Sequence, residues 1–109
     1  ENGVSKIEDG AGRFAQISGM KIEVDPSKPA GERVTSIMVG DKPLDDAANY
    51  KVATNDFLLG GGDGFTSLTG GKVLVDARGG KLVANDVMVY VKKLGTVDAK
   101  VEGRITIKQ

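Results

Sequence analysis

No cysteine, histidine or tryptophan occurs in these 109 residues, and proline appears only 3 times. The first two absences exclude a thiol nucleophile, a Ser-His-Asp triad, a disulfide framework and the zinc sites built on Cys and His. For metal chemistry that leaves only a centre made of carboxylates. Charge of one sign is missing too: 15 Lys and Arg balance 15 Asp and Glu. Without a surplus of positive charge to displace counterions from a phosphate backbone, no nucleic-acid or anionic-membrane binding driven by net charge is expected. No apolar run approaches the roughly 20 residues that cross a bilayer, and no signal-peptide pattern opens the chain. It begins at Glu1 rather than at methionine, as expected of a processed chain, an excised domain or a proteolytic fragment.

What the chain has in excess is glycine, 16 of 109 residues, about twice the ~7% of an average protein. These glycines punctuate apolar segments instead of forming a run, which sets aside a disordered linker. A chain of this length buries about two-thirds of its unfolded surface, enough for one modest core. Residues 1–9 read as the polar tail of some element cut off by the start of the chain, with Val4 and Ile7 at helical spacing and Gly10 as the end. Met20, Ile22 and Val24 alternate with charged residues as a half-buried strand closed by Pro26, and residues 25–32 form a surface loop. Residues 33–39 predict a second strand, followed by a turn at residues 40–43, the pair forming a meander.

Tyr50, Val52 and Thr54 alternate as a further strand, and Val73 to Val75 suggest a short one before Gly79-Gly80. Val83, Val87, Val91 and Leu94 recur at helical spacing with Gly95 as the stop, predicting an amphipathic helix. Val101, Ile105 and Ile107 predict a final strand. The expectation is one α+β domain over residues 1–109, with no internal repeat and no interior linker.

The strand ending at Thr54 runs into Asn55-Asp56-Phe57-Leu58-Leu59-Gly60-Gly61-Gly62-Asp63-Gly64-Phe65. Four glycines in residues 60–64 cannot fill a core, so they serve backbone conformation or close approach. Two nucleotide motifs fail on spacing. A phosphate loop around Gly71-Lys72 has Thr66 where its first glycine belongs and Val73 where a hydroxyl belongs. A dinucleotide fingerprint from Gly60 and Gly62 meets Phe65 in place of the third glycine.

What remains is an aromatic, Phe57, and a carboxylate, Asp63, at the two ends of a loop poor in side chains. There a planar ligand can lie against the backbone, with a ring stacked on it and an acid accepting hydrogen bonds from vicinal hydroxyls. The bland alternatives are a core residue for Phe57 and an Asx-turn for Asp63. Glu8-Asp9 and Asp45-Asp46 are read as solvated, since neighbours on an extended chain point apart and cannot face one another across a substrate. Arg13 and Arg78 are read as surface or ion-pair residues.

Three stretches carry a resemblance: GRFAQISGMKIEVDPSKPAGERV at residues 12–34, YKVATNDFLLGGGDGF at residues 50–65, and VEGRI at residues 101–105. The chain resembles the second half of the C-terminal domain of the 5'-nucleotidase/UDP-sugar hydrolase family. Asn-Asp-Phe followed by Gly-Gly-Asp-Gly and an aromatic is the specific part of the match. The resemblance implies a layered α/β domain with mixed sheets that binds the nucleoside part of a nucleotide. It implies Phe57 as one of two aromatics sandwiching the base and Asp63 as the acid that holds the ribose hydroxyls, with Asn55, Gly60, Gly61, Gly62 and Gly64 shaping the wall.

By the same resemblance, catalysis belongs to a separate N-terminal metallophosphoesterase domain carrying two divalent metal ions. The second stacking aromatic, the substrate-holding arginines and the metal ligands would all lie outside this chain. No catalytic or metal-ligating residue is therefore expected here, and the 109-residue chain alone is expected to hydrolyse nothing. The resemblance also implies a bacterial hydrolase acting on nucleoside monophosphates or UDP-sugars, in the periplasm, secreted or at the cell surface. The alternatives are the same domain in a 2',3'-cyclic nucleotide phosphodiesterase, or a non-catalytic module that forms a homo-oligomer through exposed sheet edges.

Overall fold

Alternating side chains in 20–24 do form a strand, β1 (Met20–Val24), because one face finds a core: Val24 is 1% exposed, while Lys21 and Glu23 face solvent. The computed structural model describes all residues, 1–109. Its contacts divide into two units, Glu1–Val52 with Val101–Gln109, and Ala53–Lys100.

In the first unit, β1 pairs antiparallel with β2 (Val34–Val39), the expected pair, and β2 also pairs antiparallel with the short β3 (Lys42–Pro43), two residues expected to lie within a turn. A bulge lies where the register passes from Glu23 opposite Ser36 to Val24 opposite Val34. On its other edge β1 pairs parallel with β4 (Ile105–Ile107), giving a mixed sheet in the order β3-β2-β1-β4. The final strand is shorter than predicted. Gly103 takes a left-handed conformation (φ 67°), so the chain turns before β4 and leaves Val101 fully exposed.

Three charged side chains, Arg33, Glu1 and Asp25, fasten loops to this sheet. Arg33, 7% exposed, donates to the Val4 carbonyl (2.9 Å), the Lys28 carbonyl (3.0 Å) and both oxygens of Glu8 (2.7 and 3.0 Å). The Glu1 carboxylate accepts from the backbone N–H of Arg33 and of Val34. Together these hold the N-terminal segment, two single 3-10 turns with Gly10 left-handed at their end, against the start of β2. Asp25 accepts from the backbone N–H and hydroxyl of Ser27 and from Lys108 Nζ (3.1 Å), tying the loop after β1 to the end of β4. Glu8 is thus an ion-pair partner rather than a merely solvated acid. Sequence spacing could not reveal this, because its partner lies 25 residues away.

The second unit holds a one-turn helix, α1 (Asp56–Leu59), two 3-10 turns at Gly62–Gly64 and Thr66–Gly70, and the helix α2 (Val83–Leu94). Helix α2 ends as predicted at Gly95, whose φ of 73° closes the turn with its N–H on the Val91 carbonyl. None of its residues is buried, the apolar stripe of Val83, Val87, Val91 and Leu94 included. Neither Tyr50 to Thr54 nor Val73 to Val75 forms a strand. Alternation makes a segment suitable for a ladder, but a strand also needs a neighbour to pair with, and these segments have none in this chain. Tyr50 instead turns its hydroxyl back to accept from the Asp45 N–H at 2.9 Å.

Candidate functional site

The segment 55–65 carries the chemistry singled out in the sequence. Its geometry starts at Asn55, whose extended backbone (φ −85°, ψ 166°) places it as the N-cap of α1. The Asn55 side-chain oxygen accepts from the Leu58 N–H at 2.8 Å, satisfying one of the donors a helix start leaves open. Asp56 likewise accepts from the Phe57 N–H. One turn of helix then points Leu58 and Leu59 into partial burial and leaves Phe57 58% exposed. A core role for Phe57 does not hold.

Gly60 and Gly61 close the turn, their N–H groups donating to the Asp56 and Leu58 carbonyls. Gly61 (φ 88°) and Gly64 (φ 80°) are left-handed, and Asp63 between them is the one non-glycine residue with positive φ (53°). Asp tolerates this region better than most side chains because its short carboxylate can bond locally. Three reversals in four residues fold the loop back, and the Phe65 N–H reaches the Gly62 carbonyl at 3.1 Å. Gly62 has no positive φ but lies against the Phe57 ring. A Cβ built on it would stand 2.6 Å from Cε1 and Cζ and 2.7 Å from Cδ1.

The result is an exposed aromatic ring backed by bare backbone, with an exposed carboxylate on the same short loop. All seven residues singled out in the sequence fall in this one segment. Family models of known domains place it: the model described as the 5'-nucleotidase C-terminal domain matches residues 1–70, which include all of 55–65. The chain belongs to the 5'-nucleotidase C-terminal domain family.

Similar proteins agree. A 5'-nucleotidase from Diplobatis ommata is 34% identical over 113 residues, covering 96% of this chain and 19% of its own. The trifunctional nucleotide phosphoesterase protein YfkN of Bacillus subtilis (strain 168) is 35% identical over 114 residues, covering 96% of this chain and 8% of its own. The crystal structure of a 5'-nucleotidase precursor from Thermus thermophilus superposes with a TM-score of 0.90 at 45% identity, covering 97% of this chain and 22% of that one. The fold is therefore the α+β fold of 5'-nucleotidase C-terminal domains. This chain spans about a fifth of the length of the first curated relatives it matches.

No group of three or more His, Cys, Asp or Glu side chains is arranged to hold a metal ion. No helix is long and apolar enough to cross a membrane. Arg33 and Asp25, the two buried charged residues, were missed by sequence reading. Each is held by hydrogen bonds that fasten the first unit, and neither belongs to the loop at 55–65.

Proposed function

We propose that this chain is the nucleoside-recognising portion of a 5'-nucleotidase-type phosphohydrolase. Phe57 stacks on the base, and the Asp63 carboxylate accepts hydrogen bonds from the ribose hydroxyls. Asn55 with Gly60, Gly61, Gly62 and Gly64 holds the ring and the acid on one wall. The observation that carries the reading is the exposed Phe57 ring on a side-chain-free backing, since a solvent-facing aromatic against bare backbone is a platform rather than a core element. Stacking on an aromatic is worth about 1–3 kcal/mol and accepts any base.

Phosphate cleavage belongs, on this reading, to a metal-bearing N-terminal domain of a longer, exported polypeptide, and residues 1–109 form part of its substrate-binding domain. The names of the relatives, which include snake venom 5'-nucleotidases, support hydrolysis of nucleoside 5'-monophosphates and export. A second reading differs only in substrate. Similarity to a trifunctional nucleotide phosphoesterase favours a wider set of nucleotide phosphoesters, served by the same base platform.

The test is AMP hydrolysis by the complete polypeptide carrying Phe57→Ala. KM is expected to rise about tenfold with kcat within about twofold, because the stack is lost from ground state and transition state alike. An unchanged KM removes Phe57 from base binding.

A further inference from the structure

Why one particular glycine of the run is glycine has a steric answer. Gly61 and Gly64 meet a backbone requirement, each having positive φ. Gly60 has φ −77°, and a Cβ there would find its nearest neighbours at 3.5 and 3.6 Å, ordinary contact. Gly62 has no positive φ, so its backbone admits any residue, but a Cβ would overlap the Phe57 ring at 2.6–2.7 Å.

The overlap also gives a direction. Approach within the ring plane would bring one carbon closest and leave its two neighbours well further away. Near-equal distances to the three consecutive carbons Cδ1, Cε1 and Cζ put Gly62 over the face of the ring. One face of Phe57 therefore rests on the backbone at Gly62, while the side chain as a whole stays 58% exposed.

We propose that Gly62 is a positioning residue for the base platform: its missing side chain lets the Phe57 ring lie back on the loop and present its other face to the base. The inference rests on the reading of Phe57 as the stacking ring. Alanine at 62 pushes an exposed, rotatable ring out of place without disturbing a buried core, so the effect falls on substrate binding and not on folding.

The experiment compares Phe57→Ala, Gly62→Ala, the double variant, and Gly70→Ala as a control in the complete polypeptide, with AMP as the probe. Gly70 has open space around its Cβ position and no positive φ. Expected are a rise in KM of about tenfold for Phe57→Ala and about three- to tenfold for Gly62→Ala, with kcat within about twofold and the melting temperature kept. The double variant is expected to match Phe57→Ala alone, because Gly62 acts through the ring. A normal KM for Gly62→Ala beside a raised one for Phe57→Ala overturns the positioning role and leaves the base-stacking reading intact. Equal worsening by Gly62→Ala with and without Phe57 also overturns it, since the glycine would then act on its own. An unchanged KM for Phe57→Ala removes the stacking reading itself, and the inference with it.

Discussion

At the scale of single residues, the loop at 60–64 shows how one amino acid serves several physical ends. Two of its glycines answer to backbone conformation and one to the space a ring occupies. Asp63 shares the left-handed conformation but has a side chain, which is unusual enough to ask what the carboxylate is for. On the proposed reading it accepts from the ribose hydroxyls. Asn is almost isosteric and equally at ease with positive φ, so Asp63→Asn removes the charge while keeping the turn. Hydrogen bonds to a charged acceptor are worth about 1.5–3 kcal/mol. KM for AMP is expected to rise about tenfold or more, with little change for a 2',3'-dideoxy analogue that lacks both hydroxyls. A rise of equal size for the dideoxy analogue would show that Asp63 supports the loop and not the sugar. The residues were singled out through the family resemblance, because the local pattern alone left a core ring and an Asx-turn open; the structure adds that the Phe57 ring is exposed. The role of Gly62 was not legible in the sequence, since a steric demand depends on where Phe57 turns.

At the scale of elements, α1 is a single turn, and an isolated turn of helix does not persist in water without help. Its help is the Asn55 cap, which satisfies Leu58 N–H. Loss of such a cap costs about 1 kcal/mol. Asn55→Ala is therefore expected to speed hydrogen exchange at the Leu58 amide about fivefold and to raise KM for AMP, because Phe57 rides on this turn. Asn55→Ser, which keeps a capping oxygen, is expected to restore both. Restored protection with a raised KM would instead mark Asn55 as a direct contact to substrate. The elements that sequence reading placed well share one property, that a local signal specifies them. Alternation with a pairing neighbour on each side gave β1, and the Gly95 stop gave the end of α2. Tyr50 to Thr54 and Val73 to Val75 carry a similar local signal and form no strand, because a ladder is a property of two segments and no second one pairs with them here. The short α1 was hidden for the opposite reason: four residues are too few to display a helical period, although the Asn55 cap was in view.

At the scale of the whole molecule, the first unit is fastened by charge where its core is thin, with Val4 and Val24 as its buried hydrophobic residues. The Arg33 guanidinium, donating to Glu8, holds that carboxyl at about 2, below its ordinary 4.5. Hydrogen bonds from Ser27, and then from Lys108, hold Asp25 at about 2, below 3.8. Both groups prefer to be ionised in the folded chain, so folding weakens as they take up protons. Their contribution is complete above the ordinary values and is lost as pH falls through about 2. The melting temperature is therefore expected to stay level from neutral pH down to about pH 5 and to fall from there toward pH 2. Lys108 reaches Asp25 across 83 residues, so part of that fall reports the attachment of β4 to the loop after β1. In Asp25→Asn the melting temperature should start lower at neutral pH and decline less steeply in acid, because the variant has already lost the charge that titrates. A decline as steep as in the parent would assign the acid sensitivity to Glu8 and its hold on the N-terminal segment. The double variant with Glu8→Gln would then flatten the profile, and a profile still steep in that double variant would show that neither fastening governs stability in acid.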